Sequence, residues 1–117
     1  MELAPSLTQS VLYNRGIVWF KKGNMNSAIE DFSKVIDKNP AHAQAYYNRG
    51  IARIKKGELE KAIDDFSKAI ELKTNYAEAY YNRGLAYADK GDYERGLADY
   101  SKAIEISPRP EWIKRKF

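Results

Sequence analysis

The side chains that could do chemistry are few, and their spacing speaks against catalysis. The 117 residues contain one histidine, His42, and no cysteine. A metal site or an imidazole base needs companions, and His42 has only the chain break at Pro40 beside it, so it reads as a solvent-exposed linker residue. The absence of cysteine excludes disulfides, thiolate metal sites and a thiol nucleophile. Ser33, Ser67 and Ser101 recur every 34 residues, which is how a structural position behaves, because a nucleophile is needed once. Asp64 and Asp65 are adjacent, and neighbours on a helix point to different faces, so they make no acid/base pair. The seven glycines contain neither GxGxxG nor GxxxxGK, the spacings that cradle phosphate. No catalytic residue, metal ligand or cofactor is expected, and the chain does not read as an enzyme. One charged set does recur: Arg15, Arg49 and Arg83 with Asp31, Asp65 and Asp99. It would serve as a basic ladder for an acidic ligand, or as guanidinium–carboxylate pairs linking the two helices of a unit or adjoining units. Because the two residue types repeat together and their charges cancel, the pairing reading is preferred.

The elements that must hold these residues follow from the repetition. Tyr-Asn-Arg-Gly stands at 13–16, 47–50 and 81–84, another glycine follows seven residues later at Gly23, Gly57 and Gly91, and Asp-(Phe/Tyr)-Ser-Lys stands at 31–34, 65–68 and 99–102. Self-similarity of this length marks a repeat architecture. Inside each unit the apolar residues fall at helical spacing, as in Leu12, Trp19 and Phe20 and then Ala28, Ile29, Phe32, Val35 and Ile36. Each unit is therefore two helices, and the spacing predicts six of them over 8–22, 25–38, 41–56, 59–72, 76–90 and 93–106. The second glycine suits the left-handed residue that closes a first helix, with Asn24, Glu58 or Asp92 opening the second. Ser27 to Glu30 has the composition of a capping box but lies inside a helix, whereas Asn75 to Glu78 sits at a boundary and is the better cap. Gly16 with Ala28, and Gly50 with Ala62, read as spacers where two antiparallel helices approach closely.

A 34-residue helix-turn-helix unit with Leu12, Tyr46 or Tyr80, then Gly16, Gly50 or Gly84, then Ala28 or Ala62, Phe32 or Phe66, and Pro40 or Pro108 resembles the tetratricopeptide repeat. The likeness covers residues 9–110. It departs from the pattern at Arg15, Arg49 and Arg83 in place of leucine, at Arg53 in place of an aromatic, at Gly96 in place of a larger small residue, and at Thr74 in place of proline. The resemblance implies an all-α, right-handed superhelical solenoid of three repeats, 9–42, 43–76 and 77–110, with six helices. An N-terminal extension at 1–8 precedes it, and residues 111–117 would form a short basic C-terminal capping segment or tail.

Charge and hydropathy bound the partners. Lysine and arginine number 20 against 16 acidic residues, a net +4, and Arg109, Lys114, Arg115 and Lys116 with Glu111 carry +3 of it. The body is nearly neutral, so a nucleic-acid partner is not expected. The longest apolar run, Ile17 to Phe20, is far short of the roughly 20 residues that span a bilayer, and the start lacks a signal-peptide pattern, so no membrane span and a cytoplasmic location are expected. The family likeness implies that the first helices line a concave face. Its matching positions are Tyr13, Asn14, Ile17 and Phe20, then Tyr47, Asn48, Ile51 and Ile54, then Tyr81, Asn82, Leu85 and Ala88. The asparagine row resembles the ladder that lines the repeat superhelix of the O-linked N-acetylglucosamine transferase and holds peptide backbones. It does not match the carboxylate clamp of chaperone-binding members, which would place Lys and Asn at Tyr13 and Ile17 and Lys and Arg at Glu78 and Asn82; only Asn48 agrees. The expected function is a protein-interaction module, scaffold or adaptor, that takes an extended peptide. The alternative is a self-associating structural repeat protein that stacks through its outer helices, so the expected state is a monomer or weak self-association.

Overall fold

A turn of two or three residues forces the chain back on itself, so helices joined by one pack antiparallel. The computed structural model, which describes residues 8–108, has six helices: α1 (Gln9–Lys22), α2 (Met25–Lys38), α3 (Ala43–Lys55), α4 (Leu59–Leu72), α5 (Ala77–Asp89) and α6 (Tyr93–Ile106). The second helix of each unit has the expected bounds. The first helices start one or two residues late because Thr8, His42 and Tyr76 stand outside the helix as N-caps. The expected capping segment at 111–117 lies outside the described residues, as do residues 1–7 of the extension.

Local chemistry explains the turns. Gly23 adopts φ 89°, a left-handed value that a side chain would strain, and the amides of Gly23 and Asn24 return to the carbonyls of Phe20 and Trp19. Asn24 and Asp92 then open the next helix, each accepting a backbone amide three residues on at 3.2 Å, while Glu58 makes no such side-chain bond. The cap expected from Asn75 does not form: the N-cap of α5 is Tyr76, which makes no side-chain cap bond.

The core is a stack of three helical pairs. Leu12, Phe32, Val35 and Phe66 are fully buried. The first-helix glycines make room for these rings more than for the facing helix: a Cβ on Gly16 would sit 2.7 Å from Cε1 of Phe32, and one on Gly50 2.7 Å from Cε1 of Phe66. In the third unit the facing backbone is among the nearest neighbours as well, since a Cβ on Gly84 would lie 3.0 Å from the Gly96 carbonyl. Each pair packs on the next through α2 with α3 and α4 with α5, and α3 also touches α5 directly. The result is elongated, 53 × 25 × 23 Å, with the first helices along one side.

Candidate functional site

The charged set is a ladder of pairs. Arg15 holds Asp31 through Nε at 2.7 Å and Nη2 at 2.9 Å, Arg49 holds Asp65 at 2.9 and 2.7 Å, and Arg83 holds Asp99 at 2.8 Å through both atoms. These bidentate bonds join the two helices of a unit, and all three aspartates are buried. A further nitrogen reaches the unit before: Arg49 Nη1 donates to Ser33 Oγ at 2.9 Å and Arg83 Nη1 to Ser67 Oγ at 3.0 Å. The hydrogen bond to Asp31 and then its charge raise the pKa of Arg15, and the hydrogen bond to Asp99 does the same for Arg83 against the effect of burial. In the middle unit Arg53 also binds Asp65, at 2.9 Å, and its Nε is buried without a hydrogen-bond partner. The sequence marks Arg53 only as a departure from an aromatic; its geometry adds a second cation to one carboxylate.

The tyrosine and asparagine rows face each other across units. Asn48 Nδ2 donates to the Tyr13 hydroxyl at 2.8 Å, and Asn82 Nδ2 donates to the Tyr47 hydroxyl at 3.0 Å and to the Glu78 carbonyl at 3.0 Å. Each of these tyrosine rings also packs between its own unit's phenylalanine and the N-cap residue of the next first helix: Tyr13 lies 5.9 Å from Phe32 and 5.0 Å from His42, and Tyr47 lies 5.8 Å from Phe66 and 5.0 Å from Tyr76. His42 is thus no exposed linker. It is half-buried, stacks on Tyr13, and its Nδ1 accepts the Ala45 amide at 3.1 Å as the cap of α3. Burial raises the pKa of Tyr13 against the lowering effect of the Asn48 bond, and burial raises Tyr76 and Tyr100 as well. Tyr81 and Asn82 are buried, while Asn14 is exposed.

The half-buried residues of the first helices include, besides polar ones such as Asn48, Arg49 and Glu78, an aliphatic and aromatic row: Ile17 and Phe20 on α1, Ile51 and Ile54 on α3, Leu85 and Ala88 on α5. Lys55 brings its ammonium within 5.8 Å of the Phe20 ring, which bridges the first two units on this side. An open depression at the first turn is lined by Lys22, Gly23, Asn24, Met25, Asn26 and Lys56, none of them a member of this row. Among the described residues no group of three His, Asp or Glu could hold a metal ion, and no helix is long and apolar enough to cross a membrane.

Comparison with known proteins places this arrangement. The model of the TPR repeat matches residues 16–57 and 52–91, and that of the tetratricopeptide repeat matches 77–110. The chain belongs to the tetratricopeptide-repeat family. Its all-α fold is the superhelical solenoid of that family, as solved relatives show. MamA is 31% identical with a TM-score of 0.83 over 95% of this chain; the chain spans 63% of MamA's length. The first tetratricopeptide domain of Spaghetti, solved with the HSP90 peptide SRMEEVD, is 27% identical with a TM-score of 0.87, covering 96% of this chain and 89% of that one. The Arabidopsis OM64 domain is 26% identical with a TM-score of 0.86, covering 92% and 88%. No curated protein sequence matches. The tetratricopeptide repeats of this chain are thus a protein-interaction fold whose first helices carry two layers: a polar layer that binds unit to unit, and an apolar row beside it.

Proposed function

We propose that this tetratricopeptide protein is a scaffold or adaptor module that binds an extended peptide along the first helices. The observation that carries the reading is the half-buried row Ile17, Phe20, Ile51, Ile54 and Leu85, apolar side chains held in place by neighbours yet left partly open. Rigid apolar positions at fixed spacing offer pockets for alternate side chains of an extended chain. The peptide complex of the Spaghetti domain, which shares this fold, supports the reading. Its ligand chemistry does not transfer, because Tyr13, Ile17, Glu78 and Asn82 occupy the positions where the resemblance implies clamp cations and an asparagine. The ligand expected here is an apolar, weakly charged segment. Asn48 commits an amide hydrogen to Tyr13, and the buried Asn82 commits its amide to both Tyr47 and the Glu78 carbonyl, so in this reading Asn48 addresses the ligand through its remaining groups and the exposed Asn14 does so freely.

The test is selection of peptides from a random library on the immobilised chain, followed by titration calorimetry. Ile51→Ala is expected to weaken binding by about 1–2 kcal/mol, the loss of a half-buried aliphatic contact, and to alter which peptides are preferred. Lys61→Glu, at an exposed site on α4, is expected to leave binding unchanged. The opposite pair of results would move the binding surface to the second helices.

A further inference from the structure

The outer faces of α1 and α6 are the two halves of the contact that joins units inside the chain. On α3, Ala45, Arg49 and Ala52 form one stripe at helical spacing, and both alanines are fully buried; Ala45 packs with Val35 and Ile36 of α2. The same stripe on α1, 34 residues earlier, is Val11, Arg15 and Val18, and its valines are 49% and 60% exposed. On α6 the stripe Tyr93, Leu97, Ser101 and Ile104 repeats the stripe of α4 that contains Ile63, Ser67 and Ile70. Ile63 is 8% exposed, Leu97 64% and Ile104 57%. Outer helices of a solenoid ordinarily need polar outer faces, and large exposed apolar patches mark contact surfaces.

The polar centre of each stripe is complementary as well. Arg49 and Arg83 use Nε and Nη2 on their own aspartate and Nη1 on the serine of the preceding unit. Arg15 holds Asp31 by the same two atoms, on a side chain 45% exposed, which leaves Nη1 for such a serine, and Ser101 is exposed on α6.

We propose that the chain binds a second copy of itself head to tail, with α1 of one copy covering α6 of the next and Arg15 Nη1 donating to Ser101 of the partner subunit. The two faces differ, so the contact is heterologous and does not close on itself; assemblies lengthen with concentration. The surface is distinct from the peptide row, and either activity stands without the other.

Sedimentation of the full chain over a concentration series tests this. Wild type is expected to rise from 13.4 kDa with no plateau. Val18→Glu and Leu97→Glu change exposed residues and should keep the wild-type helical circular dichroism. Each alone is expected to stay monomeric, and an equimolar mixture is expected to stop at about twice the monomer mass, because one variant keeps an intact α6 face and the other an intact α1 face. Ser101→Ala is expected to weaken association roughly tenfold, the loss of one charge-assisted hydrogen bond. A wild-type mass constant at every concentration overturns the proposal. Association by Val18→Glu alone overturns it in favour of α6 packing on α6, a mixture that stays monomeric overturns the head-to-tail pairing, and an unchanged constant for Ser101→Ala overturns the register.

Discussion

Arg49 stands 16 residues from each of its two partners, donating to Ser33 behind it and to Asp65 ahead of it. One side chain thereby fixes the two helices of its own unit and anchors that unit to the preceding one. The planar guanidinium permits this because its donors diverge in a fixed fork, which a lysine could not imitate.

Serine therefore matters by position. Ser33→Ala and Ser67→Ala are each expected to cost about 1 kcal/mol, since each leaves a partly buried guanidinium donor without its acceptor. Ser101→Ala, which meets no arginine among the described residues, should stay within about 0.5 kcal/mol of wild type at dilution. Urea denaturation of the three variants at low concentration makes the comparison.

The aspartates should rank by how well their arginines can rehydrate. Two guanidiniums converge on Asp65, with side chains 16% and 18% exposed, so Asp65→Ala leaves two cations facing each other away from water and is expected to cost about 3–5 kcal/mol. Arg15, 45% exposed, can turn to solvent, so Asp31→Ala should cost about 1–2 kcal/mol. Thermal unfolding of the two variants decides the order; equal losses would show that the second arginine adds nothing.

Much of this was legible in the chain. Six helices, the second-helix bounds, and the pairing of arginine with aspartate follow from a 34-residue period, because they depend on contacts within one unit. The asparagine direction was not legible. Whether Asn48 turns to a ligand or to Tyr13 depends on how one unit is rotated against the next, and no periodicity within a unit contains that rotation. His42 was not legible for a related reason: it caps the first helix of the second unit, and whether its ring reaches back to Tyr13 depends on how that helix packs on the first unit. The equal spacing of Arg49 from Ser33 and Asp65 was a usable signal for the inter-unit bond.

Gly50→Ala is expected to destabilise by about 1–3 kcal/mol through overpacking, since the new methyl meets the buried Phe66 ring. Phe66→Leu should recover part of that loss, so the double variant is more stable than the sum of the singles predicts. Gly57→Ala meets nothing within 4 Å but must hold φ 80°, so it should cost about 1 kcal/mol with no rescue by Phe66→Leu. A double-mutant cycle by urea denaturation separates the two causes.

At alkaline pH the tyrosines should unfold the chain. Tyr13, Tyr76 and Tyr100 have pKa values raised by burial, so above about pH 10 the unfolded chain releases protons that the folded chain retains. The stabilisation is complete below that pH and is lost as pH climbs toward the folded values. Phenolate absorbance is expected to show part of the titration coinciding with loss of helical circular dichroism, and Tyr76→Phe should move that loss to higher pH.

The bonds that cross between units also have a direction. Asn48 and Arg49 donate to Tyr13 and Ser33, Asn82 and Arg83 donate to Tyr47 and Ser67, and Lys90 donates to Glu60, so in these bonds the later unit brings the donor and the earlier one offers a hydroxyl or, at Glu60, a carboxylate. A chain leaving the ribosome exposes its first unit before the second exists. The groups that must wait are hydroxyls and the exposed Glu60 carboxylate, which water satisfies readily, and each guanidinium finds its aspartate within its own unit. The solenoid is thus wired to be assembled in the order in which it is synthesised.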